Sequence, residues 1–264
     1  MCGPEVVETV HRRIGRRALL GSWGAAALTV AASGTVRAEP AVAAAIPAGR
    51  LIDLTHTLGP SFPVWPGNAR FSMRPVAAYE FGGFLVNELS YWEHTGTHID
   101  APAHRVRGGA TADVIPLEDL IAPLVVVDIS ERAAVDPEAV VTTEDIAGWE
   151  RVHGRIPDRA VVAMHSRWQT RLAEGSAPGF GGDAADMLVR ERNIVGIGVD
   201  TLSLDRMNDR LYPAHTAVLG AGRYGIEALA NLDAVPPAGA TVVIGAPKHA
   251  GATGGPCRVF AVVP

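Results

Sequence analysis

The chain has almost no cysteine: two in 264 residues, Cys2 and Cys257. Cys2 stands in a segment expected to be removed. That leaves Cys257 alone, excludes an intramolecular disulfide in the mature protein, and makes cysteine usage silent about the compartment. Positive charge is not in excess either. With 23 Lys and Arg against 28 Asp and Glu, the net charge of −5 gives no electrostatic basis for binding nucleic acid or anionic lipid. A long apolar run is also missing. The best candidate, Leu19 to Ala32, is too short and too mild for a stable membrane span. No internal repeat stands out, and no low-complexity block follows residue 50. What is present, 48% hydrophobic and 19% charged residues, suits one soluble domain with a full core. The 29 Gly and 19 Pro predict many turns and loops.

The first forty residues carry a signal of their own. Arg12-Arg13 and Arg16-Arg17 form a basic patch, the Leu19–Ala32 run follows, and Val36-Arg37-Ala38 offers small residues at cleavage-site positions. Arg16-Arg17-Ala18-Leu19-Leu20 resembles the twin-arginine export signal, which implies a bacterial protein exported already folded, to the periplasm or beyond. A plain Sec signal or a disordered basic tail are the alternatives. The expected organisation is an export signal over 1–38, a flexible linker over 39–49, and a catalytic domain over 50–264.

Within that domain, short apolar runs alternate with polar, Gly/Pro-rich segments. Leu124–Asp128, Ala160–Met164 and Ile194–Asp200 read as buried strands, being β-branched and without polar alternation. Thr241–Ile244 and Arg258–Val263 read as further strands, and Val86–Trp92 alternates more clearly. Helices are fewer: one after an N-cap at Thr143, one over Asp183–Arg192, and a short one over Ile226–Leu232. The pattern predicts an α/β domain with one large mixed sheet and flanking helices.

The chemistry is concentrated in Trp92-Glu93-His94-Thr95-Gly96-Thr97-His98-Ile99-Asp100-Ala101-Pro102-Ala103-His104, which holds three of the nine histidines. Imidazole and carboxylate are ligands of Zn, Mn, Fe and Ni. Gly and β-branched Thr oppose a helix here, so this is not the helical H-E-x-x-H arrangement. In an extended segment, His98 and Asp100 share a face. Gly96 lets the chain fold so that His94 reaches the same point.

The motif H-T-G-T-H-I-D-A-P-A-H resembles the H-x-G-T-H-x-D-x-P-x-H signature of the metal-dependent cyclase family, which includes bacterial kynurenine formamidases and isatin hydrolases. The likeness covers most of residues 50–264. Leu51–His56, Pro63-Val64-Trp65-Pro66-Gly67, Gly198–Asp205, and His215 with Glu227 resemble further family segments in the same order. The resemblance implies a single-domain cyclase-like fold of the swivelling β/β/α type. It implies His94, His98 and Asp100 as ligands of a first metal, and Asp100, His215 and Glu227 as ligands of a second. His104 is then the general acid/base, and Trp65 lines the substrate pocket. The implied cofactor is Zn or Mn, one or two ions, in a homodimer.

Three positions depart from the family pattern. Ala228 replaces a common Asn, Asn68 replaces a common acidic residue, and His165-Ser166-Arg167-Trp168 replaces a usual R/H-T-G-W in a loop expected near the pocket. Of the other histidines, His56 is placed beside the site, His153 on the surface, and His249 in a loop able to cover the pocket. Glu93 is read as structural. The expected function is hydrolysis of an amide by metal-activated water, on an aryl formamide such as N-formylkynurenine or a cyclic amide such as isatin. The alternatives are an exported cyclase, dehydratase or lactonase acting on a secreted metabolite, and a non-catalytic metal- or ligand-binding protein.

Overall fold

The computed structural model describes residues 49–168 and 175–264. The expected export signal and all of the expected linker but Gly49 lie outside the described residues. Thirteen strands are described. They are β1 (Arg50–Asp53), β2 (Ser72–Ala77), β3 (Val86–Ser90), β4 (His98–Asp100), β5 (Ile121–Asp128), β6 (Val140–Val141), β7 (Val161–His165), β8 (Gly179–Phe180), β9 (Gly196–Val199), β10 (Tyr224–Glu227), β11 (Ala240–Gly245), β12 (Gly254–Pro256) and β13 (Arg258–Val263). Nine of them make one mixed sheet in the order β1-β13-β11-β5-β7-β9-β10-β4-β12. Its centre, β5-β7-β9-β10, is parallel, and both flanks are antiparallel.

The sheet curls until its ends meet. β12 and β13 are separated only by Cys257, yet they lie toward opposite ends of the strand order. Cys257 N–H donates to Thr97 O at 3.0 Å, and Leu54 N–H to Val259 O at 2.9 Å. The inside of the curl is filled by Ile52, Leu54, Ile99, Leu124, Val126, Ile244 and Val259, among others. The alternate residues of the same strands, such as Val125, Val127, Val162 and Met164, pack outward into a second core under the helices. Burial on both faces is why these strands read as unbroken apolar runs.

Four helices matter here: α1 (Ser130–Val135), α2 (Thr143–His153), α3 (Gly182–Arg192) and α4 (Pro213–Gly220). The cap of α2 is Thr142 rather than the expected Thr143. The Thr142 hydroxyl accepts from Asp145 N–H, while the Asp145 carboxylate accepts from Thr142 N–H at 2.8 Å, a reciprocal box. α3 starts one residue earlier than expected and ends on Asn193 in the left-handed region.

The helix expected over Ile226–Leu232 is not there. Tyr224–Glu227 is a strand paired on both sides, and Ala228 and Asn231 take φ of 52° and 53°. Sheet pairing overrides local preference, and two left-handed residues close off any helix. Ala228 is also the position where Asn is common in the family pattern, and Asn adopts that conformation more readily than Ala.

The segment Val86–Trp92 does hold a strand, β3, which ends at Ser90. β3 pairs only with β2, and every residue of both strands is exposed. This arm, with the turn between its strands, exposes Met73, Tyr79, Phe81, Phe84, Leu85 and Leu89. No helix among the described residues is long and apolar enough to cross a membrane.

Candidate metal centre

β4 lies between β10 and β12, with His98 opposite Glu227 and Pro256, and Asp100 opposite Gly225 and Gly254. Cross-strand partners project to the same face, so pairing brings His98, Asp100 and Glu227 together. All three are at least 95% buried. Gly96, at φ 69°, turns the chain before β4 and sets His94 against Asp100. Gly254 makes room: a Cβ there would lie 2.7 Å from His94 Cε1 and 2.4 Å from Ile99 O.

His215 arrives from α4, and Asp205 puts it there. The Asp205 carboxylate accepts from Ala214 N–H at 2.6 Å, from His215 N–H at 3.2 Å, and from His215 Nδ1–H at 2.5 Å. It thus caps the helix and fixes the imidazole tautomer. Asp205→Ala is expected to cost about 2–4 kcal/mol of stability, from three lost bonds to a buried carboxylate. It is also expected to weaken metal binding about 10- to 100-fold. Thermal unfolding and metal titration of the variant check both.

Nδ1 of His98 donates to Gly96 O at 2.8 Å. With Nδ1–H occupied in both His98 and His215, each presents Nε2 to the same two carboxylates. His98 Nε2 lies 3.3 Å from Asp100 Oδ1 and 3.4 Å from Glu227 Oε2. His215 Nε2 lies 3.5 Å from Asp100 Oδ2 and 3.3 Å from Glu227 Oε1. Ligand atoms on a tetrahedron with bonds of about 2.1 Å are about 3.4 Å apart. His98 Nε2 and Asp100 Oδ2 are buried with no hydrogen-bond partner, as ligand atoms awaiting an ion are.

His94 completes the group by a different route. Thr253 donates its hydroxyl proton to Glu93 Oε1, and Glu93 Oε2 accepts from Thr253 N–H at 3.0 Å. Thr253 Oγ1 therefore accepts from His94 Nε2–H at 3.0 Å. That leaves the lone pair of His94 Nδ1 against Asp100 Oδ1 at 2.6 Å, an arrangement that demands a proton or a cation between them. Glu93 is thus structural, as expected.

The five expected ligands lie together around Asp100 and Glu227. Ligand atoms of His98, Asp100 and Glu227 lie within 4.8 Å of one another, and so do those of His94, Asp100 and His104. Asp100 belongs to both. The His104 ring lies 3.8 Å from that of His94 and 5.9 Å from that of His215, open to the cavity.

The electrostatics follow from burial and pairing. Burial alone would depress His98; the carboxylates of Asp100 and Glu227 facing its Nε2 override it and push its pKa up to about 10. His215 is raised by Asp100, Asp205 and Glu227 against the same burial penalty. Burial opposes ionisation of Asp100, yet the imidazoles hold its pKa well below the usual carboxylate range. Glu227 is opposed by burial and by Asp100, and its imidazole partners still bring it down. Two ionised carboxylates among imidazoles suit a divalent cation, which must displace the protons to enter. Burial is the main cause that lowers His104, with its imidazole neighbours adding to it.

A cavity of about 780 Å³ opens over this cluster. Trp65, Trp92 and Tyr212 give it flat apolar walls, and Asn68, Ser203 and Arg105 add polar groups. The loop of His165–Trp168 is not part of it. Ser166 bonds Asp200 by backbone N–H and hydroxyl at 2.8 and 2.7 Å, and Trp168 is buried. His249 does not line the cavity either; Thr253 is where its loop reaches the site. His56 stays outside the lining, its ring against Phe62, and His153 is exposed on α2. Asp205, Thr253 and Arg105 were not singled out from sequence. Asp205 alone left a trace there, as the last position of the Gly198–Asp205 segment.

A curled mixed sheet that gathers imidazoles and carboxylates on adjoining strand ends defines a class: α/β proteins with a buried metal-ligand cluster beneath an aromatic pocket. The sequence profile of the Cyclase family matches residues 52–206, and the chain belongs to that family. An isatin hydrolase of Roseibium aggregatum is 30% identical over 242 residues, covering 81% of this chain and 92% of its own. A kynurenine formamidase of Salinibacter ruber is 31% identical over 190 residues, 71% of this chain and 85% of its own. Among solved structures, isatin hydrolase A from Labrenzia aggregata, bound to benzyl benzoate, superposes with a TM-score of 0.76 at 40% identity, covering 81% and 93% of the two chains.

Proposed function

We propose that this protein is a metal-dependent amide hydrolase acting on a small aryl formamide or cyclic amide. One observation carries the reading: two imidazole Nε2 atoms face the same pair of buried carboxylates at 3.3–3.5 Å, with His98 Nε2 and Asp100 Oδ2 unpartnered. The family and its named relatives, an isatin hydrolase and a kynurenine formamidase, support it.

His94, His98, Asp100, His215 and Glu227 are the proposed metal ligands. Their N and O donors, with no thiolate, suit Zn or Mn in one or two ions. A divalent cation held there supplies Lewis acidity toward a carbonyl oxygen and acidifies water to near neutrality. Trp65, with Trp92 across the cavity lining, stacks an aromatic acyl or amine portion and keeps bulk water from it. His104 is uncharged at neutral pH because burial disfavours its cation. It takes a proton from the attacking water and returns it to the departing amine nitrogen. A formamide yields formate and an amine, and a cyclic amide opens to one amino acid.

The proposed catalytic domain is 50–264, preceded by the export signal and linker. The basic patch and apolar run of the first 38 residues support export by the twin-arginine route. The exposed apolar arm of β2 and β3 supports a homodimer.

The test is to express residues 39–264 and measure bound metal by elemental analysis, molar mass by light scattering, and turnover of N-formylkynurenine and isatin. Metal near one or two equivalents with turnover of either compound is the expected result. A protein that takes up neither Zn nor Mn would sink the reading.

A further inference from the structure

Arg105 is the one arginine or lysine in the cavity lining, among the described residues. It is held in place without a carboxylate. Its Nε–H donates to Thr216 Oγ1 at 3.1 Å and its Nη2 to Leu211 O at 3.0 Å, both partners on or beside α4. Its Cζ stands 5.6 Å from the centre of the Tyr212 ring. No ion pair of Arg105 exists among the described residues, and its Nη1 makes no hydrogen bond there. A guanidinium has five N–H groups in a planar fork. Two are used to aim this one, and the Nη1/Nη2 edge remains for a carboxylate gripped by two parallel bonds.

The surroundings favour that use. Glu93, the cavity carboxylate outside the ligand cluster, has both oxygens engaged by Thr253. Asp100 and Glu227 are balanced by the divalent cation they are proposed to hold. An entering carboxylate therefore meets one cation without an ion-pair partner, while the oxygens of Glu93 are turned to Thr253. The Tyr212 ring neighbours both that cation and the cluster, its centre 5.6 Å from Arg105 Cζ and 5.9 Å from the His215 ring. An aromatic ring stacked there spans the gap between the amide at the cluster and an anionic group at Arg105.

We infer that Arg105 binds a carboxylate carried by the substrate away from the bond that is cut, so that the site selects anionic amides over neutral ones. This rests on the hydrolase reading, and it narrows the substrate class. It favours an aryl formamide bearing a carboxylate over an uncharged cyclic amide.

Formanilide and 3-formamidobenzoate differ by one carboxylate and serve as probes of the metal-loaded protein. Arg105→Met is expected to raise KM for 3-formamidobenzoate about 10- to 100-fold, the worth of a charge-assisted pair, with kcat and all formanilide kinetics unchanged. Arg105→Lys recovers part of the loss, since it restores charge but not the fork. Equal loss on both compounds, or no loss on either, overturns the inference. Should neither compound turn over, calorimetry with benzoate and benzamide separates the two claims. Benzoate binding weakened at least 10-fold in Arg105→Met, with benzamide unaffected, leaves the anion site standing while the hydrolase reading falls. Benzoate that binds both proteins equally, or does not bind the wild type, overturns the anion site.

Discussion

Asp100→Asn is expected to empty the metal site and lower turnover by about 10³-fold or more, since metal polarisation is worth several kcal/mol of transition-state stabilisation. Asp100 touches His94, His98 and His215 and is 1% exposed, so no neighbour substitutes for it. Elemental analysis should find metal below one tenth of the wild-type level. The chelated protein gives an independent check. Removing one partner of a buried charged cluster costs about 3–5 kcal/mol, so the chelated variant should melt well below the chelated wild type.

The chelated wild type should also have a defined pH profile. His98 and His215 have folded pKa values above the ordinary 6.5, so their stabilising contribution is fully present below pH 6.5. It declines above that, and the His98 part is gone as pH rises through about 10. Asp100 and Glu227 have depressed pKa values, so their contribution is lost as pH falls below their ordinary 3.8 and 4.5. Maximum stability of the chelated protein therefore lies in the mildly acidic window between these limits. Metal binding runs the other way, weakening toward acid as protons compete for the imidazoles. Retained metal and activity in Asp100→Asn would remove it from the ligand set.

His104→Ala is expected to keep the metal and lose about 10²- to 10⁴-fold in kcat, the usual worth of a positioned acid/base. Its pH profile tells a proton carrier from a packing residue. The His104 pKa lies below 6.5, chiefly through burial, so the neutral ring is present at pH 7 and is lost as pH falls toward that pKa. Wild-type kcat/KM should show this acid limb and the variant should not. The same depressed pKa means that the unfolded chain takes up the proton first. His104 therefore subtracts from stability as pH falls below 6.5. An unaltered acid limb in His104→Ala would assign it to another group.

Much of this was legible in the chain. Val125, Val127, Val162 and Met164 read as strand because β-branched and apolar residues in short runs have little alternative. His98 and Asp100 read as facing one point because side chains two apart in an extended segment share a face. Gly96 announced the turn that brings His94 in. The misreadings have equally local causes. Ile226–Leu232 carries helix-forming residues, and only pairing with β9 and β4 makes its first two, Ile226 and Glu227, strand. Thr143 stands where a cap is expected, but the hydroxyl that meets Asp145 N–H belongs to its neighbour Thr142.

The sequence by itself determined the domain's class, the buried core strands and the chemistry of the cluster, because each depends on residue type and short-range spacing. Tertiary structure decided how the ligands are grouped. His98 faces Glu227 because β4 and β10 run antiparallel in one register, across 129 residues of chain. His215 reaches them because Asp205 fixes both its helix and its tautomer. Arg105 became a candidate anion site only once α4 supplied Leu211 and Thr216 to aim it. Such contacts join residues far apart in the chain, and their geometry is set by the closure of the sheet, which no local pattern encodes.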